Sequence, residues 1–192
     1  MPFASAAPVA TYSTRRTQVK FLVCAAVALF AFSGSVQAQQ SAAHASSKPV
    51  VVTIKNAEGQ VVGTATLSPA PTGVKIALDI KKLPPGEHSI HIHQFAKCDP
   101  PDFKSAGAHF DGGAGHDHMH GGTPAGDIPD FSLIVAKDGT AKVTTIAPNV
   151  TMGDDDHSVF SNGGTAIVIH AVAASTTGAA PPRIACGEIT RP

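Results

Sequence analysis

Two histidines stand two apart in His91-Ile92-His93. In an extended strand, residues two apart point to the same side. Both imidazoles therefore share one face, and Ile90 and Ile92 share the other. One face reads as core and the other as a place for ligands. Alone, a His-x-His pair is weak evidence, because a buried structural histidine gives the same pattern. Two more histidines strengthen it: His109 in a long irregular stretch, and His170 near the end of an apolar, β-branched run. Four imidazoles suit copper or zinc better than magnesium or calcium, which prefer oxygen donors.

The elements that must position these residues read as strands. Residues 50–55, 60–67, 74–80, 87–95, 131–136, 141–146, 165–172 and 183–189 are apolar, β-branched or alternating. They are bounded by turn sequences such as Asn56-Ala57-Glu58-Gly59 and Leu83-Pro84-Pro85-Gly86. Lys137-Asp138-Gly139-Thr140 between two such runs is a hairpin signal. No helical periodicity of useful length appears, so the expected class is all-β, an antiparallel sandwich or Greek-key barrel. The exception is residues 96–130, thirty-five residues without regular structure. A stretch that long in a compact domain usually has a function. It carries His109, His116, His118, His120 and Asp127, together with Cys98.

The chain has 192 residues, with 14 Lys+Arg against 14 Asp+Glu. That balance argues against a nucleic-acid partner, which would need a basic surplus. Residues 1–38 hold no acidic residue; Arg15, Arg16 and Lys20 precede an apolar run over 21–32 and a small-residue end, Val36-Gln37-Ala38. This is the pattern of a secretory signal peptide, with an apolar core too short to span a membrane comfortably. No second apolar run of spanning length follows, so the mature chain is expected to be free of the membrane and periplasmic or secreted. Removing 1–38 leaves 11 basic and 14 acidic groups, a net charge of −3. It also removes Cys24, leaving Cys98 and Cys186, and two cysteines in an exported chain read as one disulfide. Residues 39–49 are small and polar, a flexible linker, and 50–192 form the single domain.

Four motifs together carry a resemblance. His88-Ser89-Ile90-His91-Ile92-His93 resembles the copper-binding strand of copper–zinc superoxide dismutases, and Ser105-Ala106-Gly107-Ala108-His109-Phe110 the loop with the bridging histidine. Val168-Ile169-His170 is similar to the strand with the last copper ligand, and Arg183-Ile184-Ala185-Cys186-Gly187 to the C-terminal signature. Cys98 with the inserted Asp99-Pro100-Pro101-Asp102-Phe103-Lys104 looks like the bacterial periplasmic form. The resemblance runs from about Val50 to Ile189 in the family's order. It implies an eight-stranded Greek-key barrel with a long metal-binding loop, and a copper-dependent oxidoreductase whose substrate is the superoxide anion. By the same resemblance, His91, His93, His109 and His170 are copper ligands. Arg183 draws the anion in, His109 serves in the proton cycle, and Cys98 and Cys186 form the disulfide. His88 and His157 are expected to be structural, and His44 has no role.

The chain also departs from the family's pattern. Asp127 matches the zinc-site aspartate, but three residues before it, where the family keeps a histidine, stands Pro124. His120 resembles the middle zinc ligand, and His118 or His116 would replace the missing one. Zinc at His109, His118, His120 and Asp127 is thus an open second site. Ala174 stands where the family has an aspartate linking the ligands of both metals, and residues 171–182 contain no charge at all. Two functions are therefore carried forward: an exported superoxide dismutase, and a non-enzymatic copper-binding or copper-handling protein on the same fold. A homodimer is left open.

Overall fold

The computed structural model describes residues 48–112, 123–172 and 181–192. The expectations for residues 1–47, for His116, His118 and His120, and for Ala174 lie outside the described residues. Among the described residues nine strands form: β1 (Val50–Asn56), β2 (Val61–Pro69), β3 (Val74–Ile80), β4 (Gly86–His88), β5 (Ile90–His93), β6 (Leu133–Val135), β7 (Ala141–Ala147), β8 (Thr165–His170) and β9 (Arg183–Ile189). All eight expected runs are present, and one of them, 87–95, is divided at Ser89. The division has a backbone cause. Before Ser89 the chain pairs with β6, and after it with β8. Ser89 itself bonds the end of β8: its N–H donates to the Val172 carbonyl at 3.1 Å, and its carbonyl accepts from the His170 N–H at 2.9 Å.

Pairing runs β5-β8-β9-β1-β2-β3-β7, all antiparallel, with β4 beside β6. The β6–β7 hairpin is closed by the Ala136 N–H on the Thr140 carbonyl at 2.8 Å. β4 runs on through Ser89 into β5 at one edge of the seven-stranded sheet, and β6 leads through the hairpin turn into β7 at the other. The step from β3 past three strands to β7 is the Greek-key crossing.

Alternation sorts the side chains. Val52 and Ile54 of β1, Ile76, Leu78 and Ile80 of β3, and Ile90 and Ile92 of β5 are buried in the interior with Leu67, Leu133, Ile167 and Ile169. β8 is buried along its whole length. Ile167 and Ile169 face the interior, while Ala166 and Val168 meet a second apolar cluster of Phe103, Ala106 and Cys186. That outer cluster is how the irregular 96–112 segment is held on the barrel wall. The predicted disulfide forms there, between Cys98 and Cys186, with Cα atoms 5.6 Å apart.

Candidate metal centre

His91 and His93 stand on the outer face of β5, opposite the buried Ile90 and Ile92. His170 ends β8, the neighbouring strand. His109 comes from the loop, which here behaves almost as a further strand. The Gln94 N–H donates to the Ala108 carbonyl at 3.0 Å, and the Phe110 N–H to the Ile92 carbonyl at 2.8 Å. His93 and His109 are thereby paired side by side. The ligand-type nitrogens of His91, His93, His109 and His170 all lie within 4.8 Å of one another.

The hydrogen bonds decide which nitrogen each ring presents. His93 Nδ1 lies 3.0 Å from the Gly107 carbonyl, and His170 Nδ1 lies 3.0 Å from the Pro181 carbonyl. A carbonyl only accepts, so both Nδ1 atoms carry the proton and both Nε2 atoms keep a lone pair. His109 Nδ1 likewise faces Asp127 Oδ1 at 2.6 Å. His91 is reversed and presents Nδ1. Three of these nitrogens, His91 Nδ1, His93 Nε2 and His170 Nε2, are buried without a hydrogen-bond partner among the described residues. Each such orphan costs about 1–3 kcal/mol. Three of them converging on one point, beside a fourth imidazole, fit a metal ion that accepts nitrogen lone pairs.

The electrostatics keep His91, His93 and His170 neutral. Burial lowers His91 to a pKa of about 3, with His109 and His170 adding to the effect. Burial also lowers His93 to about 3; the Gly107 carbonyl opposes this, while Arg183, His109 and His170 reinforce it. His170 is lowered too, mainly by burial. Neutral imidazole is the form that binds metal, so the site is ready at neutral pH. There is a consequence for stability. In the unfolded chain His91 and His93 titrate near 6.5; in the folded metal-free chain they resist protonation until about 3. Between those values the unfolded state binds more protons, so stability falls as pH is lowered. The metal-free protein is expected to lose stability steadily from about pH 6.5 downward. Urea midpoints measured from pH 7.5 to pH 4 check this, and a flat profile would contradict it.

Arg183 begins β9 and is the cross-strand neighbour of His170. Its Nη1 donates to the Phe103 carbonyl and its Nη2 to the Gly107 carbonyl, both at 2.7 Å. The Gly107 oxygen therefore serves both the guanidinium and the His93 ring. Burial lowers the Arg183 pKa, opposed by Asp102, but an arginine stays charged at any ordinary pH. Sequence reasoning missed Gly107, Phe103 and Pro181, because each acts through its backbone carbonyl. A partial signal exists at Gly107. Its φ is +80°, and a Cβ there would lie 2.8 Å from the Phe95 ring, so only glycine is comfortable.

The two expected structural histidines have backbone partners. His88 is buried, with Nδ1 2.8 Å from the His170 carbonyl and Nε2 2.9 Å from the Pro84 carbonyl. His157 Nδ1 lies 3.2 Å from the Asn149 carbonyl. At the second site, the structure brings together His109 and Asp127. Pro124 contributes a carbonyl that accepts the Asp127 N–H at 3.1 Å.

Comparison with known proteins agrees with this geometry. The profile of the copper/zinc superoxide dismutase family matches residues 61–189. The chain is 39% identical over 147 residues to superoxide dismutase [Cu-Zn] 1 of Aquifex aeolicus, covering 71% of this chain and 84% of that one. It is 34% identical to superoxide dismutase [Cu-Zn] of Caulobacter vibrioides, covering 71% and 82%. Among solved structures, the monomeric copper, zinc superoxide dismutase of Salmonella enterica superposes with a TM-score of 0.57 at 28% identity, covering 74% of this chain and 100% of that one. An antiparallel Greek-key fold with four converging imidazoles, and a matched profile across most of its length, place this chain in the copper/zinc superoxide dismutase family.

Proposed function

We propose that the chain is an exported superoxide dismutase, using copper held by His91, His93, His109 and His170. The observation that carries this is the set of buried, unpartnered imidazole nitrogens aimed at one another. Bound copper would supply a Cu(II)/Cu(I) couple, oxidising one superoxide to dioxygen and reducing the next. Over both halves, two superoxide anions and two protons give one dioxygen and one hydrogen peroxide.

The chain's own residues would do the rest. His93 and His170 are locked in orientation by backbone carbonyls, so little reorganisation is needed between turnovers. Arg183 holds a fixed positive charge beside the cluster, which favours an anion. His109 has a side chain 32% exposed, compared with the fully buried His93. Of the two partly exposed rings, His91 and His109, it is the one held by a carboxylate, and it is the ring placed to take a proton at Nε2 from solvent and pass it to the reduced product. Zinc would draw on His109 Nδ1 and Asp127, with His118 and His120 as the further donors.

Export is supported by the leader pattern over 1–38 and by the Cys98–Cys186 disulfide, a bond that persists in oxidising compartments. By this reading 39–49 is a linker and 50–192 the working domain. No helix among the described residues is long and apolar enough to cross a membrane.

The test is superoxide consumption by the copper-loaded protein, set against the same amount of free copper. Activity no greater than free copper, with copper tightly bound, would favour the copper-handling alternative. Arg183→Ala is expected to lower the rate about 10-fold, the low end of what local steering supplies, and to flatten its dependence on ionic strength. Arg183→Lys keeps the charge but lacks the planar fork that reaches both carbonyls, so its rate should fall between the two. Rates for all three proteins across a salt series decide the matter; equal rates would remove Arg183 from the mechanism.

A further inference from the structure

The three Nδ1-protonated ligands are not held alike. His93 and His170 lean on backbone carbonyls, whereas His109 leans on a carboxylate, Asp127, at 2.6 Å. A carboxylate is the stronger acceptor, and its bond to an imidazole N–H fixes the tautomer and raises the donor strength of the other nitrogen.

Asp127 is itself held by backbone. The Gly126 N–H donates to the Phe110 carbonyl at 2.7 Å, and the Gly126 carbonyl accepts from the Ile92 N–H at 2.9 Å. Residue 126 is thereby threaded between the two segments that carry His91, His93 and His109. A Cβ on Gly126 would sit 2.1 Å from the Ile92 oxygen, so the close approach that delivers Asp127 requires glycine. The Asp127 N–H then bonds the Pro124 carbonyl at 3.1 Å. The His109–Asp127 pair is partly buried, with side-chain exposures of 32% and 26%, so water weakens it less than a surface pair.

We propose that in the zinc-free, copper-loaded protein Asp127 is the positioning residue for His109, holding its Nδ1–H so that Nε2 faces the copper site. This rests on the reading of the four histidines as copper ligands. It gives Asp127 work to do in the absence of a second metal, and it accounts for a complete His109 orientation beside a proline at position 124.

The experiment uses the mature protein stripped of metal, confirmed zinc-free by elemental analysis, and loaded with one equivalent of Cu(II). Copper affinity is measured by chelator competition, and the nitrogen couplings by electron paramagnetic resonance. Wild type should show a four-nitrogen signal. Asp127→Ala should weaken copper binding about 10-fold, the low end for loss of a ligand's hydrogen-bond partner, with an altered nitrogen pattern. Asp127→Asn, nearly the same shape and with an amide oxygen that accepts the same N–H, should restore most of both. Asp127→Ala indistinguishable from wild type in affinity and spectrum would overturn the proposal, and so would Asn as damaging as Ala. A wild-type protein without the four-nitrogen signal would instead overturn the copper-ligand reading beneath it.

Discussion

Replacing His93 with alanine is expected to lower dismutase activity by at least about 100-fold, beyond the usual range for loss of a ligand's partner. His93 has no exposed surface and stands between β8 and the loop segment that carries His109. Its Nε2 is one of the three buried nitrogens without a partner, and its Nδ1 is tied to the oxygen that also holds Arg183. Alanine removes a donor from the metal site and leaves a void that the neighbouring strand residues Ile92 and Gln94 cannot fill without breaking the pairing to 108–110. The fold should survive, because Ile90 and Ile92 on the opposite face still anchor β5 in the core. Copper content after loading, measured with circular dichroism as a control for folding, separates loss of metal from loss of structure. His157→Ala, outside the four-histidine cluster and with its ring on the Asn149 carbonyl, is the comparison that should keep its activity. Wild-type activity in folded His93→Ala would sink the four-ligand assignment.

The double substitution Cys98→Ala and Cys186→Ala is expected to cost about 4 kcal/mol, close to the chain-entropy value for a loop of this length. The two cysteines are separated by 88 positions, so reduction returns much freedom to the unfolded chain. That cost corresponds to roughly a thousand-fold change in the folding equilibrium, at about 1.4 kcal/mol per tenfold. The effect should reach the metal centre as well. Cys98 and Cys186 lie in the same apolar cluster as Phe103, whose carbonyl holds one arm of Arg183. Freed from the disulfide, the segment from 98 to 107 is still held by the Phe103 ring, by Arg183 and His93 on its carbonyls, and by the Glu188 carboxylate on the residue-98 N–H. Urea denaturation of the double variant, and of wild type with and without reductant, checks the stability. A shift below about 1 kcal/mol, no more than an ordinary hydrogen bond, would mean that the disulfide contributes little to holding the segment.

Much of the barrel was legible because strand signals are local. Alternation in Val74–Ile80 places Val74, Ile76, Leu78 and Ile80 on one face whatever surrounds them, and all four are buried. The same period-two rule puts His91 and His93 together and sends Ile90 and Ile92 to the core. The division at Ser89 was not legible. Nothing in residues 87–95 marks the change of partner from β6 to β8, because both partners accept an extended apolar segment. Residues 96–130 carry no strand signal of their own. Their strand-like pairing at 108–110 depends on Ile92 and Gln94, which are distant in sequence.

For the site, side-chain chemistry was written in the sequence and backbone chemistry was not. His91, His93, His109 and His170 could be singled out from residue type and strand spacing, and Arg183 and Asp127 from the resemblance of the motifs that hold them. Every residue of the chain carries a carbonyl, so none of the letters distinguishes Gly107, Phe103 or Pro181 as the acceptor that matters. Those three oxygens, with the Asp127 carboxylate, determine which nitrogen of three rings carries the proton and how Arg183 is braced. Their positions come from long-range contacts: the Phe103 ring against Cys186, Gly126 between Ile92 and Phe110, and β9 beside β8. The sequence by itself determined which groups are present and the strand faces that carry them. Only the tertiary structure decided where their lone pairs and protons point, because hydrogen bonds are directional and their backbone partners are set by packing.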